Sequence, residues 1–307
     1  MLDRNRIWGR NKRLVLLFFM LAVLIFPSQR ADARWVKNSK GYRYTKNASG
    51  TKYYKSQWVK IKGKYYYFDK NGYRKTGWLT YNGKRYYLNK KGVRVTGFYT
   101  ISKKKYYFSK KGVLVTGWLK YKNQYYYAND QGVIQTGIRQ IRQNVYYFDG
   151  EGRRVAGANI VLGNMTYYFS NNGTLQYTGT EEEKLVKYVN IRRMLMGYSP
   201  LSYYGYSGLH DAAQLRAKEL AQKADHIRPD GTRYSTVLTK DHPVSAFWSG
   251  ECILRGRSKA GISVASDWLS DTNSSILLQE QADSIGIGRY VDEIGCEYWT
   301  AIVIQSR

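Results

Sequence analysis

From Trp58 to Gly179 apolar and polar positions alternate in short bursts that recur every 20 residues. Alternation is the mark of a half-buried strand, and a fixed period marks a repeat architecture. Aromatic pairs stand at Tyr66-Tyr67, Tyr86-Tyr87, Tyr106-Tyr107, Tyr126-Tyr127, Tyr146-Tyr147 and Tyr167-Tyr168. Glycines frame them at 72, 92, 112, 132 and 152, and again at 77, 97, 117, 137 and 157. The last unit is slightly longer and places its glycines at 173 and 179. In "WLTYNGKRYYLNKKGVRVTG", "WLTY" and "KRYYLN" are expected to pair as strands. Asn82-Gly83 supplies the tight turn, because both central positions need φ > 0. Gly92 then lets the chain turn again. One such hairpin cannot bury its own apolar face, so the units are expected to stack as an all-β solenoid of about 20-residue hairpin repeats. An irregular unit, "WVKNSKGYRYTKNASGTKYYKSQ", reads as its cap.

After Gly179 the pattern changes to helical spacing. "TEEEKLVKYVNIRRMLMG" opens on a Thr cap and three acids, and apolar residues follow at roughly helical intervals. "SGLHDAAQLRAKELAQK" is a second expected helix, with Ser207 as its cap. "SKAGISVASDWLSD" is a third. "SAFWSGECIL" is read as extended, and "SIGIGRYV" and "EYWTAIVIQ" as strands. Helices followed by paired strands point to an α/β/α sandwich.

The N-terminus holds one more apolar run, Leu14 to Phe26, after a basic stretch and before a small-x-small site. This is the layout of a secretory signal peptide cleaved after Ala33. At 13 residues it is shorter than the roughly 20 a spanning helix needs. The division is therefore 1–33 signal peptide, 34–179 repeat array and 180–307 C-terminal module. No transmembrane helix is expected after cleavage, and the mature protein is expected to be secreted and held at the cell surface or wall.

Charge sharpens that division. The chain carries +28, with 50 Lys and Arg against 22 Asp and Glu. Residues 34–179 hold 29 of those bases and only four acids, Asp69, Asp130, Asp149 and Glu151. Residues 180–307 are nearly neutral, at −1. A basic, aromatic array suits an anionic or sugar polymer: rings stack on sugar faces and cations attract anions. A row of equivalent weak grooves on one long polymer gains avidity. The candidate groove residues are Trp58, Tyr66, Trp78, Tyr86, Phe98, Tyr106, Trp118, Tyr126 and Tyr146, with Arg85 and Lys105 beside them. Each of these rings could equally belong to the array's core, since alternation sends the two members of a Tyr pair to opposite faces. Export argues against nucleic acid as the partner. In an exported chain Cys252 and Cys296 are a disulfide candidate, with two buried free thiols as the alternative.

The units resemble the cell-wall-binding repeats of Gram-positive surface proteins, which include choline- and glucan-binding branches. A typical choline-binding unit reads like "GW…GKWYY…G…TG". The resemblance implies a site walled by two tryptophans and a tyrosine of the neighbouring unit. The first tryptophan survives here as Trp58, Trp78 and Trp118, and is Phe98, Ile138 and Ala158 elsewhere. The second is replaced by Tyr65, Arg85, Lys105, Tyr125, Val145 and Thr166. Arg85 and Lys105 would repel a choline cation. The expected partner is therefore a teichoic acid or other anionic polysaccharide, or a glucan, rather than choline.

In the C-terminal module "VNIRRMLMGYSPL", "LHDAAQLRAKELAQ", "HIRPDGT", "GECI", "DWLSDTNSSIL", "SIGIGRYV" and "YWTAIVI" resemble the CAP superfamily of secretory, antigen 5 and pathogenesis-related proteins, in its bacterial branch. The resemblance implies an α/β/α sandwich with an open cavity lined by His and Glu, sometimes holding a divalent metal. His226 and Glu251 match family cavity positions, and Asn273 stands at or beside the place of a family His. With that His missing, no metal or other cofactor is assigned. His226 and Glu251 are weak catalytic candidates as a base and its partner, or a structural polar pair. No "GxSxG", "HExxH", phosphate loop or dinucleotide fingerprint occurs. The leading expectation is a non-catalytic surface protein. A wall-targeted hydrolase using His226 and Glu251, and lipid or sterol carriage in the cavity, are the alternatives.

Overall fold

The structure is a computed structural model that describes residues 33–307, except 48, 258 and 271–275. The expected signal peptide, residues 1–33, lies outside the described residues but for Ala33. No helix among the described residues is long and apolar enough to cross a membrane. The chain forms two compact units, Met1–Val95 and Thr96–Arg307. The sequence border at 179/180 falls inside the second.

The first unit is built from hairpins. β1 (Trp35–Asn38) pairs with β2 (Gly41–Tyr44), β3 (Gln57–Ile61) with β4 (Lys64–Phe68), and β5 (Gly77–Tyr81) with β6 (Lys84–Leu88). The expected turn forms at Asn82 and Gly83, with φ of 48° and 70°. A second turn follows each hairpin. Asp69 Oδ1 accepts from the backbone N–H of Asn71 and of Tyr73, both at 2.9 Å. Asn89 does the same for Lys91 and Val93. A short side chain that substitutes for backbone acceptors is what makes Asp and Asn fit this place. The strand end beside it is the core of each hairpin: Phe68 and Leu88 are fully buried. Units are stitched together by backbone bonds, Arg74 N–H to Tyr42 O at 2.7 Å and Arg94 N–H to Tyr65 O at 2.8 Å. Gly92 is required twice: its φ is +70°, and a Cβ there would strike the Arg74 stem.

In the second unit the hairpins continue as β7 (Gly97–Ile101) with β8 (Lys104–Phe108), β9 (Gly117–Tyr121) with β10 (Gln124–Ala128), and β11 (Gly137–Ile141) with β12 (Asn144–Phe148). β13 (Ala158–Leu162), β14 (Met165–Phe169) and β15 (Leu175–Gln176) make a three-stranded sheet. The same stitches recur, Ile134 N–H to Lys105 O at 2.8 Å and Arg154 N–H to Tyr125 O at 2.7 Å. Each hairpin is a small separate sheet, and no sheet among the described residues closes into a barrel.

The remainder is three-layered. α1 (Glu181–Met196) starts at a capping box between Thr180 and Glu183 and ends on Gly197 in the left-handed region. α2 (Ser207–Leu220) follows; its cap is Tyr206, without a side-chain bond, and Ser207 is the first helical residue rather than the expected cap. A 3-10 turn spans Tyr234–Leu238. β16 (Ala246–Arg257), α3 (Gly261–Ser270), β17 (Ser284–Val291) and β18 (Cys296–Ser306) complete it, with antiparallel strand order β16-β18-β17. Alternation along β18 sorts the layers. Trp299, Ala301 and Val303 pack with Leu185 and Val189 of α1 and with Val264 and Trp268 of α3. Ile302 and Ile304 pack with Leu209, Ala212 and Ala213 of α2. The glycines of "SIGIGRYV" now have a cause: a Cβ on Gly286 or Gly288 would collide with the carbonyls of Leu209 and Ala213. The α1 core also takes in Met165, Tyr167 and Phe169 of β14, so the last hairpin shares its apolar interior with the three-layered part.

Two polar side chains of "VNIRRM" tie loops to α1. Asn190 exchanges hydrogen bonds with Leu201, at 2.7 and 2.9 Å. Arg193, fully buried, donates to the carbonyls of Ser199, Leu277, Gln279 and Ala282.

Of the two readings of the cysteines, the disulfide does not form and the buried free thiols do. Cys252 lies opposite Ala301 in the β16–β18 ladder, and Cys296 opposite Arg257. Five residues of extended chain separate those positions, about 17 Å, and a bridge needs Cα atoms within about 7 Å. Both cysteines are buried, and the Cys296 thiol donates to Gly256 O at 3.5 Å.

Candidate functional site

Hairpin stacking brings the predicted groove residues together in pairs. The ring that opens one unit meets the first Tyr of the next unit's pair. Trp58 stands 5.1 Å from Tyr86, Phe98 4.9 Å from Tyr126 and Trp118 4.9 Å from Tyr146, between ring centres. In the cap unit Trp35 meets Tyr66 at 5.0 Å. Trp78 packs on Tyr87 at 5.2 Å. Burial divides the set. Tyr106 and Tyr126 are buried and belong to the core, whereas Trp78 and Trp118 keep 36% and 40% of their surface in solvent. Trp58, Tyr66, Tyr86, Phe98 and Tyr146 are half-buried.

Cations lie over these rings. The Arg85 guanidinium is 4.5 Å from the Trp78 ring centre, and the Lys105 ammonium 5.1 Å from Phe98. Lys105 also pairs with Glu151 at 2.9 Å. Three further arginines were not singled out by the sequence. Arg74 lies over Tyr42 at 4.4 Å and Trp35 at 5.6 Å. Arg94 lies over Tyr65 at 4.1 Å and Trp58 at 5.7 Å. Arg154 lies over Tyr125 at 4.6 Å and Trp118 at 5.9 Å. The Nε atom of all three is buried without a hydrogen bond among the described residues. Their place before the second glycine of a unit, filled by Leu114 and Ile134 in other units, was the available clue.

The second candidate is the polar pair of the three-layered part. His226 Nδ1 lies 2.8 Å from Glu251 Oε2. The Glu251 side chain is fully buried and that of His226 is 55% exposed. Glu251 Oε1 accepts from Arg216 Nε at 2.8 Å and from Thr300 Oγ1 at 3.4 Å. Arg216 is itself fully buried and also holds Glu219, at 2.7 Å, and the Asp225 carbonyl. Burial pulls the Arg216 pKa down, but Glu251 and Glu219 outweigh it and the net shift is upward. The hydrogen bond to Glu251 raises the His226 pKa above its ordinary 6.5, against partial desolvation. Asn273 lies outside the described residues. A divalent cation does not fit this pair: both Glu251 oxygens are engaged, and the buried Arg216 charge beside them would repel it.

Residues 54–92 and 95–133 match the family model for the choline-binding repeat. No curated protein sequence matches the chain. Solved structures do. Choline binding protein F from Streptococcus pneumoniae, crystallised with a peptidoglycan analogue, is 27% identical over 49% of this chain and 54% of its own, with a TM-score of 0.45. CbpJ from Streptococcus pneumoniae TIGR4 is 28% identical over 48% and 54%, with a TM-score of 0.44. The pneumococcal cell-wall endolysin from phage Cp-1, complexed with choline, is 33% identical over 41% and 38%, with a TM-score of 0.31. This chain thus spans about half or less of each. The match corrects the expectation that choline is not the partner. The matching stretches include Tyr65, Arg85, Lys105 and Tyr125, so those replacements leave the units within the choline-binding repeat pattern. The physical reason is that ring pairs such as Trp58–Tyr86 and Phe98–Tyr126 are kept, and that the Lys105 charge is paired with Glu151. The hairpins in those two stretches are similar to choline-binding repeats, a pattern of cell-wall-binding proteins.

Proposed function

We propose that the protein is an exported surface protein held non-covalently on a choline-bearing cell wall by its repeats, with the three-layered module displayed and non-catalytic. The match of residues 54–92 and 95–133 to the choline-binding repeat carries this reading. The signal-peptide layout of residues 1–33 and the basic excess of residues 34–179 support export and attraction to a wall polymer. The CAP resemblance of the module is part of the proposal. What supports it is the α/β/α layering and the meeting of His226 with Glu251, the two side chains the resemblance names. A structural role for that pair follows from its chemistry, since Glu251 is buried and both its oxygens are already bonded. The test is co-sedimentation of the full chain with choline-bearing walls, followed by washes with free choline. Retention that free choline releases is expected. Retention indifferent to choline, or none, overturns the reading.

A further inference from the structure

One cavity shares no lining residue with the pair of His226 and Glu251. It has a volume of about 550 Å³ and opens where the first turn of α1, the loop before α2, the first half of α2 and the edge strand β17 converge. That is within the range of small-ligand sites, about 300–1,000 Å³. Its walls carry three carboxylates, Glu182, Glu183 and Asp211, and three phenols, Tyr203, Tyr204 and Tyr206.

The charge balance selects a class of ligand. Glu183 is engaged, accepting from the Tyr204 hydroxyl and closing the α1 capping box. Glu182 and Asp211 form no ion pair among the described residues. The one arginine in the wall, Arg289, pairs with Glu297 at 2.7 Å, outside the cavity lining, and its charge also feels Glu182, so it offsets part of the charge of the three carboxylates but not all of it. Gln214 is also taken: its side-chain amide exchanges hydrogen bonds with the Arg289 backbone and closes that part of the β17 edge. What is left facing the space is negative and aromatic. Burial first, and then the Glu182 charge, push the Tyr203 hydroxyl pKa upward, as a negative field would. Tyr204 and Tyr206 are 61% and 39% exposed, and the Tyr204 ring packs on Tyr203 at 4.7 Å, so the rings present an aromatic wall to solvent. Anions are repelled by such walls and an aliphatic chain would strand the carboxylates. A cation gains from both the carboxylates and the ring faces.

The geometry points to a binding site for an organic cation, a ligand that presents a primary or quaternary ammonium group to Glu182 and Asp211 beside the rings of Tyr203, Tyr204 and Tyr206. None of these residues belongs to the repeats, so the site stands or falls separately from wall attachment.

His210 reports on it. It lines the cavity, with its ring edge-on to Tyr203 at 5.9 Å, and the chain has only two other histidines. The full chain, labelled with ¹³C-histidine, would be titrated with choline, with Nα-acetyl-lysine methylamide, and with 3,3-dimethylbutan-1-ol, the uncharged isostere of choline. His226→Gln and His242→Gln variants assign the His210 signal. That signal is expected to shift saturably with one or both cations and not with the alcohol. Glu182→Gln/Asp211→Asn should weaken the binding about tenfold or more. Both positions are at the surface of the cavity, and circular dichroism checks that the variant folds. A His210 signal that ignores both cations, follows the alcohol equally, or titrates unchanged in the double variant overturns the site.

Discussion

The guanidinium of Arg94 lies 4.1 Å from the centre of the Tyr65 ring and 5.7 Å from that of Trp58. The chain thus places a cation of its own on the aromatic faces that a choline-type repeat offers to a ligand. Arg74 and Arg154 do the same one unit before and three units after. An intramolecular cation competes with a bound one for the same ring faces, and each such contact is worth about 0.5–2 kcal/mol. Arg94→Met keeps the stem and removes the charge. Choline affinity of the full chain, measured by calorimetry, is expected to rise up to about tenfold. Unchanged or weaker binding would show that the guanidinium does not compete.

The buried triad of Arg216, Glu251 and Glu219 should be costly to break. Arg216→Met leaves Glu251 buried without its partner, and such a loss costs about 3–5 kcal/mol. Urea unfolding would read it. Adding Glu251→Leu should return much of the loss, because two charges are then absent together; no recovery would mean the cost lies in packing.

The contact between His226 and Glu251 makes a stability prediction with a definite sign. The His226 pKa is raised in the folded state. Its contribution is therefore fully present below the unfolded value near 6.5 and fades as pH rises through the folded pKa. Urea unfolding across that range should show His226→Gln most destabilised at low pH, with the gap to wild type closing at alkaline pH. A gap that widens with pH would refute the assignment.

Close approach of α2 to β17 predicts intolerance at Gly288. Its Cβ would meet the Ala213 carbonyl, a backbone atom that cannot swing away. Gly288→Ala should cost about 3 kcal/mol in thermal or urea unfolding, at the upper end of overpacking. Gly83→Ala meets no neighbouring atom and strains only its own φ of 70°, so its cost should be about 1 kcal/mol. Equal losses at the two sites would argue against the packing account.

In the reverse direction, Lys103 holds φ of 65° in the β7–β8 turn, where Gly83 stands in the β5–β6 turn. The left-handed region costs a side-chain-bearing residue about 1–2 kcal/mol, and glycine's extra chain entropy returns about half of that. Lys103→Gly is expected to stabilise the second unit by about 0.5–1 kcal/mol, read as a raised urea midpoint. A lowered midpoint would show that the lysine side chain contributes more than its backbone costs.

What the sequence by itself determined was everything set by neighbours along the chain. The 20-residue period, the Asn82-Gly83 turn, the capping box at Thr180 and Glu183, and the strands "SIGIGRYV" and "EYWTAIVIQ" follow from φ preference, side-chain alternation and local hydrogen bonding. The sequence also grouped the equivalent rings, because a fixed period places equivalent residues in similar surroundings, but it did not separate exposed rings from core ones. It misjudged what the cations beside those rings imply. Only the tertiary structure decided what depends on distant segments meeting. Arg94 reaches Trp58 because one hairpin stacks on another, and Tyr106 and Tyr126 are core because stacking covers them. Cys252 and Cys296 look like a pair in a list of residues, yet strand register holds them five positions apart. Arg216 reads as an ordinary helical arginine, but α2 lies against the sheet where Glu251 points inward, and the low dielectric there turns both charges into one buried network.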